Sequence, residues 1–479
     1  MSWYEQIGGL FRFLPEVSKP SRRPTLGERL FWTGLVLIAY LTMGQIPLYG
    51  IPRGAGGTLG ALEFLRIVMA SRRGTLIELG IGPIVTAGII WQLLVGGRIV
   101  NIDLTTPAGR RAFAGLQKLT AVIFAAVEAA AYILGGVYGV LTVSQQLLVF
   151  FQLFAASIIV ILMDDMLEKG WGVGSAVSLF IAAGVAQQIF WELFSPIAMD
   201  DGLYYGFFPS LVAAVAAYAT TGNSTLLASL VVRHRGYPDL ASFLSMIFLL
   251  LLLTFLESSR VTIPVSSARF GGVRARIPLK LLYVSVIPVI LVGALYANIS
   301  LLTQALWPRV NPGNSNPVLN AIAMYNYTSY GAVPLPGCFV YYITPPRSLP
   351  AALSDPLHTV VYALLYLFFS VVFGVAWIMT SGMDPETQAE QLAKAELQIP
   401  GFRKSEKVIA SLLKRYIWAL TVFSSIAVGL VAVLSDILRA MGGGTGILLL
   451  VGITMQYYSI LAQERALEMY PTLARFLRE

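Results

Sequence analysis

The 479-residue sequence predicts an all-α polytopic membrane protein, with ten transmembrane helices arranged as two inverted five-helix halves. Three observations carry this expectation. Charged residues make up only 12% of the chain and apolar ones 56%, with a mean hydropathy of +0.72. A soluble domain runs about 25% charged, so too few polar side chains are available for a water-facing surface. Ten apolar runs are each long enough to cross a hydrocarbon layer about 30 Å thick, which takes roughly 20 helical residues. The runs also fall into two sets of five on either side of a long linker, and because five is odd, the second set crosses in the opposite sense.

The runs lie near residues 30–48, 76–95, 113–135, 144–163, 173–193, 240–257, 279–302, 357–380, 416–435 and 446–462. Ahead of them, Trp3, Ile7, Leu10, Phe11 and Leu14 recur at helical spacing without a continuous apolar core. That pattern suits a helix lying on the membrane surface and not a signal peptide. The ambiguous stretch is 209–232, which is long enough to span but polar through Thr220–Thr225. Lysine and arginine favour the cytoplasmic side. With ten spans and a cytoplasmic N-terminus, most of the 33 basic residues fall inside, whereas an eleventh span would leave more outside than in. Residues 209–232 are therefore expected to stay outside. The resulting plan is a cytoplasmic or interfacial segment 1–29, a first half 30–194, an external linker 195–239, a second half 240–462 and a cytoplasmic tail 463–479. Its large cytoplasmic loops are 257–280 and 381–415.

An internal match supports the inversion. The second span of the first half holds GPIVTAG (Gly82 to Gly88), and the second span of the other half holds IPVILVG (Ile287 to Gly293). In each, a proline precedes a glycine by five residues: Pro83 and Gly88, Pro288 and Gly293. Breaks at corresponding positions of two halves point to a central pathway.

The predicted membrane interior is nearly free of ionisable groups. Glu128 is the clear exception, and Glu78 lies at the edge of its span. A coupled transporter usually places such groups inside the membrane, so the rival reading, a ten-span secondary transporter of a small solute, lacks its expected ligands. No metal, nucleotide or nucleophile motif is present, the chain has two histidines and one cysteine, and neither an enzyme nor a cofactor is expected. Aliphatic pairs do stand beside the helix-breaking residues. Ile81 and Val85, and Val177 and Ile181, are each four residues apart on one helix face, with Ile290 alone. By themselves they fit either packed or lipid-facing surface or a dry constriction in a channel. Between the first two spans, Leu62, Leu65 and Met69 mark a short amphipathic helix behind a glycine-rich tether.

At these residues a family resemblance emerges. LGIGPIVTAGIIWQLLVGG (Leu79 to Gly97) resembles the second transmembrane helix of SecY, the channel subunit of the Sec protein translocon, in its archaeal form. GSAVSLFIAAGV (Gly174 to Val185) resembles its fifth helix and IPLKLLYVSVIPVILVGALYANI (Ile277 to Ile299) its seventh. IPGFR (Ile399 to Arg403) is similar to the tip of its long cytoplasmic loop, and GGTGILLLV (Gly443 to Val451) to its tenth helix.

The resemblance implies a two-halved, SecY-like channel. It would translocate unfolded secretory polypeptides and release transmembrane segments laterally into lipid. It implies a pore ring of Ile81, Val85, Val177, Ile181, Ile290 and Leu449. It implies a plug at about 58–70, including Leu59, Leu62, Leu65 and Met69. The lateral gate would lie between the second and third helices on one side and the seventh and eighth on the other, with Thr86, Glu128 and Asn298 as its polar cluster. Implied partners are signal peptides and nascent chains, a SecE or gamma-type subunit, a small beta-type subunit, and the ribosome docked on Arg274, Arg276 and Arg403. The implied location is the cell membrane, with both termini cytoplasmic.

Overall fold

A computed structural model describes residues 14–469, except 52–70, 268–272, 399–405 and shorter pieces at 23, 73, 98, 105, 135–137, 140, 200–201, 223, 232, 234–236, 329–330, 347–348 and 395–396. The first half begins with α1 (Leu26–Met43), whose start is fixed by a reciprocal Thr25–Glu28 capping box. It continues through α2 (Gly82–Gly96), α3 (Pro107–Leu134), α4 (Val143–Met166) and α5 (Ala176–Phe194). A π-helical turn, Leu167–Trp171, ends α4 where Gly170 takes a φ of 97°. The linker carries α6 (Phe207–Thr221), stopped by Gly222 in the left-handed region. Fifteen residues reach about 22 Å, short of a hydrocarbon layer.

The second half opens with α7 (Leu240–Ser258), capped by Asp239 and Ser242, and a hairpin of β1 (Arg260–Ser267) and β2 (Val273–Lys280) follows. Next come α8 (Ile287–Val310), a small hairpin of β3 (Tyr325–Thr328) and β4 (Gly331–Pro334), and α9 (Pro356–Ser381). The chain finishes with α10 (Pro385–Lys394), β5 (Leu397–Gln398), α11 (Glu406–Leu438) and α12 (Gly444–Met469). The all-α expectation thus needs two additions, the β3–β4 hairpin and a second sheet. Loops 257–280 and 381–415 hold a three-stranded antiparallel sheet, ordered β2-β1-β5, with Arg260 opposite Lys280 and Ser267 opposite both Val273 and Leu397.

Among the described residues, nine helices are long and apolar enough to span a membrane, and α2 is a shorter apolar helix. The run at 76–95 accounts for the difference, because Leu76–Ile81 folds as successive turns and helix begins only at Gly82. The two halves repeat this device. Gly80 and Ser285 each lie three residues before the matched proline, with φ of 53° and 51°. The next residues, Ile81 and Val286, share a conformation (φ −91°, ψ 2° and φ −88°, ψ −4°). Pro83 and Pro288 therefore sit in the first turn, where a missing N–H costs nothing, and start their helices without kinking them. Serine tolerates the left-handed region poorly. Ser285 is steadied there by donating through Oγ to the buried Glu257 carboxylate at 3.1 Å.

The halves meet along two seams. On one, α5 is tied near both of its ends, to the middle of α12 and to the turn that precedes α12. Tyr457 Oη donates to Ser175 O at 2.8 Å, and Gly442 N donates to Glu192 Oε2 at 2.6 Å. Nearby, Arg29 pairs with Glu464 at 2.7 Å. On the other, α2 packs against α8 and α9, and α3 against α8. The linker is itself folded. Buried Arg233 donates to the Tyr204 and Pro238 carbonyls at 3.0 and 3.2 Å and lies over the Tyr237 ring.

Candidate functional site

The aliphatic residues singled out from the sequence come from four helices and their approaches. Ile81 caps the N-terminus of α2 and Val85 lies one turn in. Val177 and Ile181 line the first turns of α5, Ile290 the first turn of α8, and Leu449 the first turns of α12. Each of these helices starts behind a left-handed residue: Gly80, Gly174, Ser285 or Gly443. The structure brings all six into one hydrophobic cluster. Ile81, Ile181 and Leu449 are fully buried, Val85 and Ile290 nearly so, and half-buried Val177 packs against them. That cluster is the core shared by both halves and the linker, and it also takes in Tyr40, Phe180, Phe207 and Tyr296. Aliphatic side chains such as these six hold water poorly and offer no hydrogen bonds.

Beside this cluster lies a polar bridge across the seam. Asn298 of α8 donates through Nδ2 to Thr86 Oγ1 of α2 at 2.7 Å. The Thr86 hydroxyl lies 2.8 Å from the Gly82 carbonyl and 3.3 Å from Glu128 Oε1 of α3, two acceptors that share its one proton. Thr86 and Glu128 are both buried. The three residues that the family resemblance grouped as a polar cluster therefore form one chain of hydrogen bonds. Glu78 is separate from it, buried where the turns before α2 begin and accepting from Gly74 N.

Arg274 and Arg276 occupy β2 positions paired with Ser266 and Pro264. Arg403 and the plug residues Leu59, Leu62, Leu65 and Met69 lie outside the described residues. His358 belongs to no site. It is buried at the start of α9 with Nε2 3.0 Å from the Thr344 carbonyl oxygen. Cys338 is buried in one hydrophobic cluster with Trp307, Tyr325 and Val340. Among the described residues no group of acidic, histidine or cysteine side chains could hold a metal ion.

Two features escaped the sequence reading. One is Ser285, whose role was visible in principle, since aligning the halves on their prolines sets it against Gly80. The other is a close crossing at the far end of α2. A Cβ on Gly96 would lie 3.1 Å from Ala376 O and 3.2 Å from Ala376 Cα on α9. Beyond it a cavity of about 1160 Å³ separates the ends of the two helices.

Nine helices of spanning length and the shorter apolar α2 among the described residues, in two inverted halves with a hydrophobic cluster and a polar bridge at their junction, define a channel-type membrane protein. The SecY family profile matches residues 75–458, and the profile described as the plug domain of Sec61p matches residues 38–74. The chain belongs to the SecY family. It is 43% identical over 473 residues to the protein translocase subunit SecY of Aeropyrum pernix, covering 97% of this chain and 96% of that one. It is 40% identical to the subunit of the same name from Saccharolobus solfataricus, over the full length of both. Among solved structures it matches one described as a protein conducting channel, with a TM-score of 0.80, 37% identity and coverage of 97% and 98%. It also matches Sec61 in a canine ribosome-channel complex from the endoplasmic reticulum, with a TM-score of 0.77, 36% identity and the same coverage. These matches support the protein-channel reading over the small-solute transporter.

Proposed function

We propose that this chain forms the conduit through which unfolded secretory polypeptides cross the membrane, and from which transmembrane segments pass sideways into lipid. The observation that carries the reading is the make-up of the junction: aliphatic side chains from both halves converge there, with a polar bridge at their edge. Ile81, Val85, Val177, Ile181, Ile290 and Leu449 act as the collar. They part for an extended chain, contact any sequence without trapping it, and exclude ions at rest. The plug, with Leu59, Leu62, Leu65 and Met69, fills the outer vestibule.

Thr86, Glu128 and Asn298 hold the lateral gate shut until a sufficiently apolar segment arrives. Each apolar residue gains about 0.3–0.6 kcal/mol on insertion and a central charge costs about 2.5–3.5 kcal/mol, so about 20 residues vote on the outcome. Linker 195–239 serves as the external hinge between halves 30–194 and 240–462. The protein resides in the cell membrane with segments 1–29 and 463–479 in the cytoplasm, clamped by a SecE or gamma-type subunit and joined by a beta-type one.

The sequence encodes no nucleotide site, so the driving push comes from a partner. Arg274 and Arg276 on the β1–β2 hairpin and Arg403 in loop 381–415 dock the ribosome, whose RNA phosphates reward clustered arginine. The test is a photo-crosslinker placed at Val85 or Ile290 in a translocon holding an arrested secretory chain. Adducts are expected at both positions and not at exposed Leu251. Equal labelling at all three would overturn the reading.

A further inference from the structure

We propose that Gly96 and Ala376 form a clasp at the cytoplasmic end of the lateral gate, and that the side chain at position 96 sets how readily the gate parts there. The inference rests on the gate reading above. Gly96 is the last residue of α2, in the first half, and is buried. The three atoms nearest its absent Cβ all belong to Ala376 of α9: O at 3.1 Å, Cα at 3.2 Å and Cβ at 3.3 Å. Two of these three atoms are backbone, so no rotamer change can make room. The Ala376 carbonyl is further held by the Thr380 hydroxyl at 3.0 Å within the same helix.

Past this crossing the halves diverge. The cavity of about 1160 Å³ is lined by Val95, Val100 and Phe113 from one side and by Met379, Thr380 and Trp418 from the other. Counting from the cytoplasmic rim, the Gly96–Ala376 crossing is thus where α2 and α9 close on each other. The physics differs from that of the Thr86–Asn298 bridge. Backbone contact at this range is dispersion, short-ranged and lost over a fraction of an ångström. A methyl group here must push the helices apart by a few tenths of an ångström, and a branched side chain further.

The test uses the complete translocon and a series of membrane segments with graded leucine and alanine content, scored as inserted or translocated. Gly96→Ala and Gly96→Val are compared with Gly88→Ala on the same helix, where nothing lies within 4 Å of the added carbon. Both alanine variants gain helix propensity, and only one of them touches the other half. At the segment that inserts half the time in the wild type, Gly96→Ala is expected to raise the inserted-to-translocated ratio about threefold or more, with Gly88→Ala unchanged. An equal rise in Gly88→Ala, or no rise in Gly96→Ala while Asn298→Ala still shifts the ratio, overturns the clasp and leaves the gate reading standing. No shift in either Gly96→Ala or Asn298→Ala overturns both. Because the alanine variant adds one methyl group, the outcome does not depend on whether Gly96→Val assembles.

Discussion

Breaking the bridge between Asn298 and Thr86 should make the gate less demanding, by an amount the geometry bounds. The bond is short, at 2.7 Å, and joins α8 to α2 across the two halves. Asn298→Ala removes the donor without adding apolar contact. Thr86 is not orphaned, because the Gly82 carbonyl at 2.8 Å still takes its proton. The loss is therefore that of one interhelical hydrogen bond, about 0.6 kcal/mol and at most about 1.7 kcal/mol in a membrane interior. One leucine contributes about 0.3–0.6 kcal/mol to insertion, so the threshold should fall by about one to two leucines in a graded segment, and by about six at the most. Thr86→Val should shift it similarly. The double variant should move no further than the larger single one, because both changes break the same bond. Scoring glycosylated reporters flanking the segment gives the inserted fraction for each variant. Additive shifts, or a threshold that rises in the single variants, would refute the idea that this bond holds the seam.

Other consequences can be measured separately. Ile290→Asn places an amide within the aliphatic cluster and should raise the resting ion conductance of the channel in planar bilayers; an unchanged conductance would count against dewetting as the seal. Arg403→Glu should weaken ribosome binding about tenfold or more, and the gap should narrow as salt rises because a phosphate contact has been removed; wild-type affinity would exclude Arg403 from docking. Ser285→Ala keeps the left-handed backbone and loses the 3.1 Å bond to Glu257, whereas Ser285→Gly loses the bond but sheds a backbone cost of about 1 kcal/mol. Melting in detergent should accordingly rank glycine above alanine, and the reverse order would show that position 285 is unstrained. The Asp355 carboxyl is held below the usual carboxylate range by the His358 backbone N–H and the Tyr341 hydroxyl. Its stabilisation is present above about pH 4 and lost as pH falls through the lowered value, so Asp355→Asn should lessen acid destabilisation in that window.

The number and order of the spans were legible because lipid demands long apolar runs, and ten such runs leave little choice of topology. The proline match was legible too, yet its meaning changed. Pro83 and Pro288 begin their helices, and the break lies in the turns before them, marked by Gly80 and Ser285. A glycine at one of the two positions hid the repeat from simple comparison. The strands in loop 257–280 could have been read from alternating Val261, Ile263 and Val265, but Pro264 and the surrounding basic residues obscured the period. Glu128 stood out as a lone charge, whereas its connection through Thr86 to Asn298 depends on packing of α3, α2 and α8 that local spacing cannot encode. The Gly96–Ala376 crossing was likewise hidden. Gly96 and Gly97 look alike in sequence, but Gly96 meets α9 whereas Gly97 closes the end of its own helix.

The ties of α5 to α12 and to the turn before it have a mechanical consequence. Two plates fastened at top and bottom of one edge can only swing about it, like covers about the spine of a book. Displacement then grows with distance from the spine. The free margin, where α2 faces α8 and α9, gains width fastest, while the packed middle opens less for the same swing. A small rotation can thus admit a helix at the margin while the centre still grips whatever threads it.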